Sequence, residues 1–112
     1  MRTLFFILAL SLSVNVFSAT RKITLVNYEI EGTKQWVPGT IAGHEDDVLE
    51  ITLINKAKGP HGFMIPSHDV TEVVKKGEKK TITVKLKKEG IYPMKCHLHP
   101  AHIGGQLIIL DD

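Results

Sequence analysis

Two stretches of this chain alternate so strictly between apolar and polar residues that extended backbone is the conformation that suits them. From Val48 to Asn55, Leu49, Ile51 and Leu53 fall on one side. From Lys79 to Lys87, Ile82, Val84 and Leu86 fall on one side and Thr81, Thr83 and Lys85 on the other. A period of two sorts side chains onto the two faces of a strand but scatters them around a helix. Lys22 to Ile30 is rich in β-branched and aromatic residues and reads as a third strand. Shorter strands are expected at Gly62–Ile65, Val70–Val74, Ile91–Cys96 and Gln106–Leu110. Gly32–Gly39 reads as a turn with a short edge segment. Gly43–Asp47 is expected as a polar turn, and Lys56–Pro60 and Pro66–Asp69 as loops. Beyond the N-terminal region no long 3.6-residue apolar period occurs. Short strands punctuated by Gly, Pro and Asp predict an all-β sandwich or barrel.

The first residues do not fit that pattern. Arg2 precedes an apolar run from Leu4 to Leu12, and small residues follow at Ser18 and Ala19. This is the layout of a secretory leader, too short for a membrane span. Residues 1–18 are therefore expected to be removed, leaving 19–112 as one domain without a stable membrane anchor. Cleavage after Ser18 sets Val16 and Ser18 at the recognition positions, whereas cleavage after Ala19 sets bulky Phe17 at one of them. An exported chain belongs in the periplasm or an equivalent extracytoplasmic space. A formal net charge of +2 is too small to argue for a nucleic-acid partner.

One cysteine, Cys96, cannot form an intramolecular disulfide, and a lone thiol in an oxidising compartment needs another role. Its surroundings suggest one. Tyr92-Pro93-Met94-Lys95-Cys96-His97-Leu98-His99-Pro100-Ala101-His102 gathers the thiol and three of the six histidines. Thiolate and imidazole are ligands for copper or zinc. A cysteine at a strand end and a histidine three residues later supply two ligands of a trigonal copper site. His61, on the connection between two expected strands, is the best third. Pro100 stiffens the loop beside His99.

The order Asn55…His61-Gly62-Phe63, then Gly90-Ile91-Tyr92-Pro93-Met94-Lys95-Cys96-x-x-His99-Pro100, resembles the cupredoxins, small copper-binding β-sandwiches. Within that family the stretch from Gly62 onward is most similar to the nitrosocyanin-like members. The shared features are Asp69 to Glu78 and Cys96-x-Leu98-His99-Pro100-x-x-Ile103. The resemblance implies a Greek-key sandwich of about eight strands. It also implies one copper ion cycling between Cu(I) and Cu(II), ligands His61, Cys96 and His99, and usually electron transfer. Two positions depart from the pattern. His102 stands where common short-loop cupredoxins carry an axial methionine. Nitrosocyanin has a carboxylate where this chain has His61, and its second loop histidine comes later. An imidazole binds Cu(II) more strongly than a thioether, so ligation by His102 predicts a tetragonal, green or red site of lowered potential.

The remaining candidates have plainer readings. Met64 and Met94 are expected in the core, and His97 on the surface beside the metal edge. His44 and His68 are expected to be structural or solvated. Lys75 to Lys88 holds seven of the fourteen basic residues, as the wet face of a hairpin or a docking surface for an acidic partner. The sequence thus points to an exported mononuclear copper protein that transfers single electrons to a redox partner. Copper handling with a copper donor or acceptor is the alternative, and a copper enzyme acting on a small ligand such as nitric oxide ranks third.

Overall fold

The computed structural model describes residues 19–111. Among them are nine strands and one 3₁₀ turn. The strands are β1 (Thr20–Ile30), β2 (Thr33–Val37), β3 (Thr40–His44), β4 (Val48–Asn55), β5 (His61–Ile65), β6 (Val70–Val74), β7 (Lys79–Lys85), β8 (Gly90–Met94) and β9 (Gly105–Leu110). The turn spans Pro66–His68, between β5 and β6. The leader expected at residues 1–18 lies outside the described residues.

The strands form a sandwich. One sheet runs β2-β1-β4-β7, a second β3-β9-β8, and β5 and β6 make a hairpin between them in sequence. β1 lies parallel to β4 and β3 parallel to β9. A parallel pair needs a crossover between sheets, and these crossovers give the Greek-key path. The alternation in β4 is realised residue by residue, with Leu49, Ile51, Leu53 and Asn55 buried and their neighbours half-buried. In and just after β7, Val84 and Leu86 are buried and Ile82 packs on the core margin. Leu25, Trp36, Ile41, Phe63, Ile65, Val74, Met94, Leu107 and Ile109 complete the filling between the sheets. Met94 therefore sits in the core as expected, while Met64 is half-buried.

Gly32–Gly39 contributes the expected short edge segment, paired to β1 from Val26↔Val37 to Ile30↔Thr33, and one segment differs from the sequence reading. The polar turn expected at Gly43–Asp47 begins later, because Thr40–His44 pairs with β9 and buries Ile41 and Gly43. Both strands are five residues long. A strand this short shows little alternation; β2 folds back on β1 as a hairpin, whereas the partner of β3 is the distant β9.

Candidate metal centre

The centre is built where the β5 end of the hairpin meets the loop after β8. His61 opens β5 and is completely buried. The loop before it is held by Asn55, also completely buried. Asn55 Nδ2 donates to the carbonyls of Gly59 (2.9 Å) and Val74 (2.8 Å), and its Oδ1 accepts from the Ala57 amide at 3.0 Å. One side chain thus ties the end of β4, the loop and β6 together. Cys96 lies two residues past β8. Reciprocal backbone bonds between Met64 and Lys95, 2.8 and 2.9 Å, pin this segment to β5. Cys96 is thereby set beside Gly62, whose amide donates to Sγ at 3.1 Å.

Gly62 is where these contacts cross. Its carbonyl accepts from Trp36 Nε1 at 2.9 Å, and Trp36 meets Phe63 edge-on with ring centroids 5.6 Å apart. A Cβ at this position would lie 2.4 Å from His97 Nδ1 and 3.1 Å from the His97 amide nitrogen. Only glycine permits so close an approach. His97 itself is exposed, as expected.

The loop after Cys96 turns back through a His102 amide bond to the His99 carbonyl (3.0 Å). It is moored to β2 by the Ile103 amide on the Lys34 carbonyl (2.9 Å). His102 is buried by this arrangement. The ligand atoms of His61, Cys96 and His102 all lie within 4.8 Å of one another, and all three residues are buried. Donors that share an ion at about 2.0–2.3 Å lie at most roughly 4.5 Å apart, so the cluster is close to metal-binding dimensions. His99 is outside this set. Its ring is half-exposed, its centroid 4.5 Å from that of His61, and its Nε2 is 2.9 Å from the Pro60 carbonyl.

The imidazoles are prepared to different degrees. His61 Nε2–H donates to the Lys58 carbonyl at 3.0 Å, which leaves the lone pair on Nδ1. That Nδ1 is buried without a hydrogen-bond partner, an arrangement that costs free energy unless something occupies the position. A metal ion does so, and a second contact that fixes the tautomer is usual for metal-binding histidine. In His102, Nε2 lies 2.8 Å from Asn27 Oδ1 and Nδ1 lies 2.9 Å from the Ile103 carbonyl. A neutral imidazole has one N–H. It satisfies one of these oxygens and presents a lone pair on the other nitrogen. Burial is the main reason that both His61 and His102 are held below the ordinary histidine range, against the pull of their carbonyl partners. Both rings are therefore kept neutral, the form that binds metal. One thiol with neutral imidazoles suits copper or zinc, so the residues present fit a copper ion.

Asn27 was not singled out from sequence, although a signal existed. It follows Leu25 at the core-facing phase of β1, and a polar residue there needs a partner. Asn27 is completely buried. His68 is buried outside the centre, its Nδ1 2.6 Å from Ser67 Oγ and its Nε2 accepting from the Lys87 amide at 3.2 Å. A cavity of about 270 Å³ between Gln35, Gly39, Thr40, Gly104, Gly105 and Gln106 includes none of the four candidate ligands.

A sandwich of mixed sheets carrying a buried His–Cys–His cluster is the architecture of a cupredoxin-like domain. The chain belongs to the cupredoxin-like domain family, whose model matches residues 2–109. Among solved structures it is similar to the copper nitrite reductase of Nitrosomonas europaea. The TM-score there is 0.71 and the identity 21 %, covering 83 % of this chain and 42 % of that one. A copper-containing nitrite reductase of Thermus scotoductus aligns with TM-score 0.67 and 19 % identity, over 84 % of this chain and 28 % of the other. A multicopper oxidase aligns with TM-score 0.68 and 18 % identity, over 84 % and 40 %. The chain thus spans less than half the length of these enzymes, and the likeness is one of fold. No curated protein sequence matches the chain.

Proposed function

We propose that this is an exported copper protein that holds one copper ion at His61, Cys96, His99 and His102 and carries single electrons. The observation that carries the reading is the burial of a thiol and two imidazoles with ligand atoms within 4.8 Å of one another, one of them with an unpartnered Nδ1. Bound copper supplies a Cu(I)/Cu(II) couple on a thiolate. The protein supplies the rest. The Gly62 amide donates to the sulfur and fixes its position beside β5. The sandwich shields three donors from water, with His61 on β5 and the loop carrying Cys96 and His102 pinned by backbone bonds to β5 and β2, so little rearrangement accompanies a change of charge. His99 is the half-exposed member of the set, on the side from which a redox partner would approach.

Adding Cu(II) to the apoprotein and recording visible and electron paramagnetic resonance spectra tests this. An intense sulfur-to-copper charge-transfer band is expected, and its absence overturns the reading. Copper handling in the periplasm is the second reading, favoured by one observation. The His99 ring is half-exposed beside the Pro60 carbonyl and is a ligand that can swing away to release the ion. Competition with a Cu(I) chelator separates the two. A carrier retains copper in both oxidation states, whereas a delivery protein releases it.

A further inference from the structure

At the end of the main sheet where β1 and β4 begin, Asp47 is almost completely buried, 4 % exposed, in the turn that leads into β4. Its Oδ2 accepts from the His44 amide at 2.9 Å and lies 3.4 Å from Arg21 Nε. Its Oδ1 accepts from the backbone nitrogen of Ala19 at 3.2 Å. The Ala19 carbonyl in turn accepts from the Val48 amide at 2.9 Å. A buried carboxylate is thus aimed at the backbone nitrogen just before β1. That nitrogen is also the one that leader removal would convert to an amine.

We propose that the Ser18–Ala19 peptide bond is the processing site and that the α-ammonium released there docks on Asp47, closing the start of the β1–β4 pair. The inference rests on the export reading and is independent of copper. In the step, a leader-processing peptidase uses one water. The Ser18 carbonyl carbon gains the water oxygen as carboxylate, the C–N bond breaks, and both water protons end on the Ala19 nitrogen as ammonium. The neutral amide donor at Asp47 becomes a charged one with more protons to donate, and charge-assisted bonds are about twice as strong. Cleavage one residue later would discard both contacts of Ala19. The carboxylate is suited to the task. The His44 amide above all, then the Ala19 amide and the Arg21 guanidinium, hold Asp47 below the usual carboxylate range against the opposing effect of burial.

The test uses the full chain, exported from a bacterial host, and the product it yields. Intact mass is expected to place the new N-terminus at Ala19. The α-amine of that product, followed by its own NMR resonance, is expected to titrate higher in the folded protein than in urea, and Asp47→Asn is expected to abolish the difference. Arg21 and the His44 imidazole are the other charged or titratable groups acting on Asp47. Arg21 keeps its charge throughout, and reading the Ala19 resonance separates the amine from His44. The raised value means that the contact stabilises the fold below about pH 8 and is lost as pH rises through the folded value. A product beginning elsewhere overturns the processing site, and a retained leader overturns the export reading with it. A product that begins at Ala19 but titrates alike folded and unfolded overturns the docking alone. That comparison needs no variant, so it stands even if Asp47→Asn does not fold.

Discussion

Gly62 has no side chain, yet its peptide joins Trp36 to Cys96 and its bare Cα admits His97. Gly62→Ala must displace His97 and shift the amide that faces the sulfur. It is expected to destabilise the protein by about 1–3 kcal/mol, read by urea unfolding, and to broaden or shift the copper charge-transfer band. Asn27 acts on His102 in a different way. With its Oδ1 as acceptor, the imidazole proton is drawn to Nε2; without it, the Ile103 carbonyl draws the proton to Nδ1. Asn27→Leu is expected to move the proton and change the copper spectrum toward that of His102→Ala. An identical wild-type and Asn27→Leu spectrum would remove Asn27 from the site. At this scale the ligand candidates were legible because Cys96, His99 and His102 recur every three residues on one loop. Asn27 shows along the chain only as a polar residue at a core-facing position; its partner, 75 positions away, does not.

Among the elements, the 3₁₀ turn between β5 and β6 carries His68. Its ring meets Tyr92 of β8 edge-on, with centroids 5.3 Å apart, and accepts the Lys87 amide beyond β7. Acceptance by Nε2 requires the neutral ring with its proton on Nδ1, toward Ser67 Oγ. Burial first, then the Lys87 charge, holds His68 below the ordinary histidine range, with Asp69 opposing. The unfolded chain therefore binds this proton more readily than the folded one. The stabilisation is complete above the unfolded value of about 6.5 and is lost as pH falls toward the folded value. Urea titrations from pH 7.5 to 5.5 should show a steeper loss for wild type than for His68→Gln, in which an uncharged acceptor replaces the ring. Strands β4 and β7 were legible from alternation over seven or eight residues. Strand β3 was not. Its five residues include a glycine and a histidine, and β9 alone among the described strands supplies its ladder.

For the molecule as a whole, metal and fold are linked. An ion that binds only the folded chain adds about 2.7 kcal/mol at one hundred times its dissociation constant. Copper loading is expected to raise the melting temperature, and a chelator to reverse the rise, by calorimetry. His61→Ala should lose that gain, because its Nδ1 is the buried donor left without another partner. The all-β class and the thiol and histidines of the candidate site could be read along the chain. Those are properties of local periodicity and short spacing, which survive in one dimension. Tertiary structure decided which strands pair in parallel. It also brought His61 and His102 with Cys96 into one buried set, left His99 half-exposed on the Pro60 carbonyl, and set Asn27 behind His102. These outcomes depend on contacts such as Gly62 to Cys96, 34 residues apart, and form only when the sheets close over a common core.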